Sequence, residues 1–333
     1  MYSSLQQLTQ FNTFKLICQT NFRRCPLYLN FCYNKLMDFS KNFIKNLFKK
    51  YKIKPLKYLG QNFLIDSSVF KKIIKAANLS KNDIVLEIGP GTGNLTIELA
   101  KRVKKVIAIE KDKRMVEVLK EVLKDFKNVK IIQGDILKTY NLQLTTYNYK
   151  VVANLPYYLT SPVIRKFLEN PPAGGQPKEM ILMVQKEVGQ RICSSKKMNL
   201  LAVSVQFYAK PEIISFISKN SFWPKPKVNS AIIKIIPHKS VLIRINPRLF
   251  FKVVKAGFSH PRKKVLRNLE KELKLNRKKV EGIFLRNKID FNSRAENLSL
   301  KDWLSLVQDL CYNNLGKYEN QKFFKEKISR NFF

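Results

Sequence analysis

The sequence predicts an α/β fold: a mostly parallel sheet with helices on both faces, followed by a small all-α C-terminal domain. Three observations carry this. From about residue 58 short apolar runs alternate with helical patterns, which is the rhythm of repeated βα units. One of those transitions, at 89–93, passes through a glycine-rich turn between a strand and a helix. From about residue 240 the strand signals stop and only helical spacing remains.

Composition bounds the partners. The chain has 333 residues, enough for one large domain and a smaller one, and 45% of them are hydrophobic. Lys and Arg number 63 against 24 Asp and Glu, a formal net charge of +39. Such a surplus suits a polyanion, nucleic acid ahead of an anionic membrane. The same excess also fits codon bias, since the chain is rich in Lys, Asn, Ile and Phe. No apolar run approaches the roughly 20 residues needed to span a bilayer, so no membrane segment is expected. The five cysteines, Cys18, Cys25, Cys32, Cys193 and Cys311, form no CxxC pair, and the only histidines are His238 and His260. That predicts no metal site. An odd cysteine count without a clear secretory signal fits a reducing compartment, and a cytoplasmic location is expected.

Residues 1–50 differ from the rest, being acid-poor, basic and aromatic-rich. They read as a basic extension: an organelle transit sequence, an upstream over-extension with the natural start at Met37, or an arm that touches nucleic acid. The motifs begin with Tyr58-Leu59-Gly60-Gln61-Asn62-Phe63-Leu64-Ile65-Asp66. Asp66 or Ser67 can cap a helix whose apolar residues Val69, Phe70, Ile73, Ile74 and Ala77 recur at helical spacing. Gln61 and Asn62 lie just before it, placed to close over a ligand or simply to form a turn.

Residues 84–88 predict a strand, followed by Gly89-Pro90-Gly91-Thr92-Gly93 and a helical pattern over 94–102. This opens a Rossmann-like unit in which glycine lets a ligand approach the backbone. A second strand, 106–110, ends in Glu110, 21 residues after Gly89, the spacing of a carboxylate that binds ribose hydroxyls. In a dinucleotide fingerprint the third glycine comes one residue later than Gly93, so S-adenosylmethionine fits better than a pyrophosphate-bearing NAD. A third strand, 129–132, leads to Gly134-Asp135-Ile136, where Asp135 can accept from an adenine amine or sit in a surface turn. A fourth, 150–153, ends at Asn154-Leu155-Pro156-Tyr157-Tyr158. Gly89, Glu110, Asp135 and Asn154 thus end four successive strands, and a parallel sheet would align them along one rim.

The segment at 154–158 suits a flat heterocycle carrying an amine. The Asn154 side-chain oxygen and the carbonyl of Leu155 or Pro156 can accept the two amine hydrogens while Tyr157 stacks on the ring. Pro156 restricts both its own backbone and that of Leu155. A strand followed by a proline turn is the alternative.

Further on, Ser161-Pro162 reads as a helix start, 180–184 as a buried strand, 171–177 as a loop, and 212–218 and 230–236 as late strands. Phe222 in Phe222-Trp223-Pro224-Lys225-Pro226-Lys227-Val228 offers a second wall for a base sandwich, or packs on the sheet edge. Helical spacing covers 249–258, 262–273, 277–285 and 300–310, and Ser293-Arg294-Ala295-Glu296 has capping-box form. Arg262, Lys263, Lys264, Arg267, Lys271, Arg277, Lys278 and Lys279 in that region suit phosphate contacts along RNA, or a solvated basic face.

Taken together these motifs resemble the ribosomal RNA adenine N6,N6-dimethyltransferase family over about residues 55–312. Four ordered signatures carry the resemblance: 60–64, 87–93, 154–157 and 222–228. It implies a class I methyltransferase domain at 51–238 and a helical RNA-binding domain at 239–316, with a basic tail at 317–333. It also implies S-adenosylmethionine as donor, and as substrate two adjacent adenosines near the 3′ end of small-subunit ribosomal RNA, in pre-30S-type particles. Site residues implied or read above are Gln61, Asn62, Leu64, Gly89, Gly91, Glu110, Lys111, Asp135, Ile136 and Asn154 for the cofactor. Asn154, Leu155, Pro156 and Tyr157 would serve the reaction, Tyr157 and Phe222 base stacking, and Arg262, Lys263, Lys264 and Arg267 the RNA. The segment 257–264 is similar to the family's basic helix, with His260-Pro261 departing from the commoner paired arginines.

The expected chemistry is in-line methyl transfer to adenine N6, twice per base, by positioning and electrostatics without a catalytic His or Cys. The target base must leave its stack to reach the pocket. The chain is expected to act as a monomer. Two other readings share these motifs: a resistance-type methyltransferase of large-subunit RNA, and a non-catalytic assembly or transcription factor on the same fold. Intact Gly89, Gly91, Glu110, Asp135, Asn154, Pro156 and Tyr157 speak against the second.

Overall fold

The computed structural model describes residues 41–139, 148–172, 175–238 and 245–310. The readings of the leader before residue 41, of Cys18, Cys25, Cys32 and Cys311, and of the basic tail lie outside the described residues. In chain order the elements are α1 (Lys41–Lys50), β1 (Phe63–Leu64), α2 (Ser67–Ala77), β2 (Ile84–Ile88), α3 (Asn94–Ala100), β3 (Lys105–Glu110), α4 (Lys113–Val122), β4 (Val129–Gln133) and β5 (Tyr149–Asn154). There follow α5 (Thr160–Glu169), β6 (Glu179–Gln185), α6 (Lys186–Ile192), α7 (Leu200–Tyr208), β7 (Ala209–Ile217), β8 (Phe222–Trp223) and β9 (Ser230–Pro237). The C-terminal helices are α8 (Pro247–Gly257), α9 (Val265–Leu273), α10 (Arg277–Arg286) and α11 (Leu300–Leu310). No helix among the described residues is long and apolar enough to cross a membrane.

Seven strands form one sheet in the order β4-β3-β2-β5-β6-β9-β7, parallel from β4 to β6 and antiparallel at β9 and β7. The parallel strands are apolar on both faces because helices cover both. Leu86, Ile107, Val151 and Leu182 pack toward α5, α6 and α7, through Val163, Phe167, Ile192 and Val205. Their strand neighbours Val85, Val106, Val152 and Ile181 pack toward α2 and α3, through Phe70, Ile73, Leu95 and Leu99. This is the predicted class: a Rossmann-like sheet with helices on both faces, and an all-α bundle beyond it. β8 pairs antiparallel with β1, which brings the 222–228 motif against the 60–64 motif.

The structure redraws the expected borders at both ends of the sheet domain. Helix α1 falls inside the segment read as an extension, yet Ile44, Leu47 and Phe48 are buried against Met115, Val118 and Leu119 of α4. The Phe48 ring meets Phe63 edge-on at 5.1 Å and Trp223 at 5.6 Å, and Lys50 and Tyr51 both bond Glu121. The first domain therefore starts no later than Lys41. At the other border α7 serves two cores. Val205 packs under the sheet, while Ala202, Val203 and Phe207 pack with Leu249, Phe250 and Val253 of α8. The helical domain is seated on α7 rather than beginning cleanly at 239.

Helix starts differ in detail. Asp66, not Ser67, caps α2, its carboxylate accepting from the Ser68 backbone N–H at 3.0 Å. Helix α5 begins at Thr160, one residue before Ser161, because 157–159 form a 3-10 turn that runs into it. Pro162 still sits in the first turn, where its missing N–H costs no hydrogen bond. In the capping-box segment the reciprocal partner is Asn297, whose side chain accepts from Arg294 N–H at 2.9 Å, rather than Ser293 with Glu296.

Candidate active site

Strand β2 connects onward to β3 on one side of the sheet, and β5 lies on its other side, so the carboxyl ends of β2 and β5 flank a topological switch point. A cleft opens there, lined by Gln61, Asn62, Leu64, Glu87, Gly89, Gly91, Glu110, Lys111, Asp135, Ile136, Asn154, Leu155, Pro156, Tyr157 and Phe222. Every residue expected to hold cofactor or base thus reaches one cavity. The four strand ends follow the rim in the order Asp135, Glu110, Gly89, Asn154, as the sheet order dictates.

The glycine turn is held by the carboxylate expected to bind ribose. Glu110 accepts from Gly91 N–H at 3.1 Å and from Asp112 N–H at 2.9 Å, so it braces the turn and the start of α4 while lining the cleft. Gly93 has φ +85° at the start of α3, and a Cβ there would stand 3.1 Å from Leu119 of α4. The early third glycine is therefore a packing position for α4 as well as a turn position. Asp135 is bound by Lys111 at 2.9 Å, an ion pair across the ends of β3 and β4. Its other oxygen accepts from Leu137 N–H at 3.0 Å.

Gln61 lines the cleft and is also tied to protein. Both ends of its amide are spent on protein: Nε2 donates to Asp112 at 2.8 Å and Oε1 accepts from Leu56 N–H at 2.8 Å. It clasps the 56–61 turn to α4 and lines the cleft only with what remains. Asn62 turns inward: its Nδ2 donates to the Gly60 carbonyl at 3.2 Å, and its own carbonyl accepts from Asn154 Nδ2 at 3.2 Å. That last bond fixes the Asn154 amide and leaves Oδ1 as its acceptor facing the cleft. The Pro156 carbonyl accepts from Leu159 N–H at 2.9 Å in the 3-10 turn, whereas none of the described backbone bonds outside helices and strands ends on the Leu155 carbonyl. Tyr157 is half-buried, with its hydroxyl 2.9 Å from Ser230 Oγ. Phe222 is only 4% exposed and belongs to the core beneath α2, so it walls the cleft from within the packed interior.

The cleft is electrostatically unusual. Glu87 is 1% exposed, and its Oε2 has no hydrogen-bond partner among the described residues. Burial pushes its carboxyl up to about 8, with the nearby Glu110 charge adding to the effect. Burial likewise raises Glu110, against the pull of its backbone donors. The folded chain therefore holds a proton on Glu87 that the unfolded chain releases above its ordinary value of 4.5. The contribution of Glu87 to stability falls as pH rises from that value to about 8 and levels off beyond it. Glu87→Gln, which keeps the neutral shape, should raise the thermal midpoint by on the order of 5 °C at pH 8. The difference should close as pH is lowered toward 4.5. Scanning calorimetry across that range checks it; a pH-independent difference would mean that Glu87 is not the titrating group.

The residues expected to contact RNA lie apart from the cleft lining. Arg262, Lys263, Lys264 and Arg267 are all exposed. Only Arg267 is in a helix, for α8 ends at Gly257 and α9 begins at Val265. The expected basic helix is thus a basic turn. Two packing facts make it so. A Cβ at Gly257 would stand 2.3 Å from the Trp303 ring, and the buried Asn268 donates to the carbonyls of Gly257 at 2.7 Å and His260 at 3.0 Å. Asn268 was not foreseen; an Asn among the apolar positions of a helix was its only local signal.

Comparison with known proteins follows this geometry. The family described as Ribosomal RNA adenine dimethylase matches residues 53–311. The chain is 42% identical over 266 residues to a protein named Ribosomal RNA small subunit methyltransferase A from Dehalococcoides mccartyi, covering 79% of this chain and 90% of the relative. It is 42% identical over 277 residues to a protein of the same name from Clostridium botulinum, covering 81% and 99%. Among solved structures, a dimethyladenosine transferase from Plasmodium falciparum aligns with TM-score 0.63 and 29% identity, over 75% of this chain and 98% of that one. The 23S rRNA methyltransferase ErmE aligns with TM-score 0.63 and 25% identity, over 75% and 99%.

Proposed function

The chain belongs to the ribosomal RNA adenine dimethylase family, and on that premise we propose its full reaction: transfer of methyl groups from S-adenosylmethionine to N6 of two adjacent adenosines near the 3′ end of small-subunit ribosomal RNA, giving N6,N6-dimethyladenosine. One observation carries the chemistry: an asparagine amide locked by a backbone carbonyl at the sheet's switch point, beside a tyrosine ring. An adenine amine is the substrate this arrangement suits. The Asn154 Oδ1 and the Leu155 carbonyl accept its two hydrogens, since the Pro156 carbonyl is engaged by Leu159. Those bonds draw the amine lone pair out of conjugation with the ring and aim it into the cleft. Tyr157 covers the base face, offsetting the stacking that the base gives up on leaving the RNA.

The cleft's donor set fits S-adenosylmethionine. It is rich in acceptors, among them the carboxyl groups of Glu110 and Asp135, and poor in the cations a pyrophosphate would need. An ammonium, ribose hydroxyls, an adenine amine and a sulfonium all suit such a lining. Glu110 would hold the ribose hydroxyls, Asp135 the adenine amine, and the backbone at Gly89 and Gly91 the space beside them. When bound, the cofactor supplies an electrophilic methyl group.

The small subunit is favoured over the large by likeness over most of the chain, at 42% identity across 81% of it against 25% across 75% for ErmE. Cleft and exposed basic surface occur in one chain, which supports action as a monomer on pre-30S-type particles. The cytoplasm is the compartment proposed, or an organelle should residues 1–50 act as a transit sequence. Transfer of labelled methyl groups to small-subunit particles lacking the modification, with the nucleoside identified by mass spectrometry, tests the reading. Dimethyladenosine at adjacent 3′-end positions is expected. Label confined to large-subunit RNA, or none with cofactor still bound, would reject it.

A further inference from the structure

The edge strand β7 carries an exposed aromatic ring close to the base pocket. Phe216 is 49% exposed, and the Lys186 ammonium stands 5.3 Å from its ring centroid. Its position depends on an irregularity. The register of β7 against β9 shifts between Ile213 and Ser215, so Ile214 is an extra residue. Without it Phe216 would face the α2 side of the sheet; with it Phe216 shares the face of Ala231 and Ile233. That face is covered by α6, whose Gly189 packs on both residues and whose first residue is Lys186. The bulge thus delivers a phenyl ring to the open N-terminal end of α6.

The location ties this ring to the pocket. Phe216 lies opposite Ala231, one residue along β9 from Ser230, whose side chain turns to the other face at the same end of the strand and bonds the Tyr157 hydroxyl. Ser230 in turn lies opposite Gln185, which directly precedes Lys186. Lys219, Lys225 and Lys227 follow on the connection from β7 to β9, with Lys219 N–H held by the Asn229 side chain at 3.0 Å. An exposed ring with a cation over it, beside further lysines, matches single-stranded nucleic acid: the ring takes a base face and the ammonium a phosphate.

We propose that Phe216 and Lys186 form a stacking platform for a nucleotide flanking the target adenosine, holding the RNA strand as it leaves the pocket beside Tyr157. This rests on the RNA methyltransferase reading given above. The partner is RNA rather than protein because a lysine ammonium stands over the ring and further lysines follow on the connection to β9.

Steady-state transfer by the full-length protein to unmethylated small-subunit particles tests it. Phe216→Ala should raise KM for the particle about tenfold and leave kcat within about twofold, with cofactor affinity and thermal midpoint unchanged. Phe216→Trp should return KM to within about twofold of the original, and Lys186→Gln should raise it about threefold and flatten its salt dependence. The same Phe216→Ala loss should appear in binding of deproteinised small-subunit RNA. Equal KM in all variants overturns the platform, as does a fall in kcat and cofactor affinity together, which would signal displaced structure. A loss seen on particles but not on bare RNA would assign Phe216 to a ribosomal protein and overturn it too. If the unaltered protein transfers nothing to the particle, the function falls and the platform with it; transfer with unaltered KM removes the platform alone.

Discussion

Asn154→Ala should reduce methyl transfer about a hundred- to a thousandfold while cofactor affinity stays within a few-fold. The loss belongs in kcat. Asn154 Oδ1 contributes most when the amine rehybridises, whereas ground-state binding of the base rests on stacking by Tyr157. The substitution also removes the bond from Nδ2 to the Asn62 carbonyl, so some slackening of the 60–64 loop accompanies it. Asn154→Asp separates the two effects. A carboxylate keeps an acceptor for the amine but cannot donate to Asn62, and should retain measurably more activity than alanine. Single-turnover kinetics with calorimetric cofactor binding gives both quantities. Near-normal turnover in the alanine variant would remove Asn154 from the reaction.

The active-site rim was readable in the sequence because each of its parts is local. A strand, a glycine turn and a carboxylate at fixed spacing announce Gly89 and Glu110, and the same logic reaches Asp135 and Asn154. What escaped depends on contacts between distant segments. Gln61 is legible as a residue near the cleft, but the hold of Asp112, 51 positions later, on its amide is not. Helix α1 sits in an acid-poor stretch that composition marks as a leader. Its apolar residues Phe43, Ile44, Leu47 and Phe48 do recur at helical spacing, but α4, Phe63 and Trp223, all distant in sequence, give that stripe something to cover. The 257–264 segment reads as helical only through the family resemblance, since helical spacing in the residues themselves breaks between 258 and 262. Trp303 against Gly257 and Asn268 against two carbonyls hold it as a turn instead. Phe216 was passed over because a bulge, which alternation alone does not reveal, determines the face it occupies.

Lys150→Met should destabilise the fold by about 3–5 kcal/mol, the cost of breaking a buried charge network by removing one partner. Lys150 is 8% exposed at the foot of β5. Its ammonium donates to the Ala77 and Asn78 carbonyls at the end of α2, both at 2.8 Å, and meets Glu179 at 2.9 Å and Asp83 at 3.4 Å. The helix end carries partial negative charge, so the lysine neutralises carbonyls and carboxylates together. Without it Glu179 keeps Lys234 at 2.7 Å, but Asp83 keeps only hydrogen-bond donors such as Ser80 N–H. Burial works against the Asp83 charge, while Ser80 and Lys150 hold its carboxyl below the ordinary value of 3.8. That stabilisation exists above 3.8 and is lost as pH falls through the lowered value, so the deficit of Lys150→Met should shrink toward acid. Asp83→Asn in the same chain should recover part of it at pH 7, and a double-mutant cycle in urea measures the coupling. Additive losses would show that packing of the lysine stem, not its charge, holds the site. The consequence for function follows from where β5 is tied: Lys150 fastens its foot to the end of α2, and Asn154 fastens its head to the loop before α2. With the foot released, the strand that aims the amide is held at one end, so activity should fail at a lower temperature than in the original while its kcat in the cold stays within about threefold.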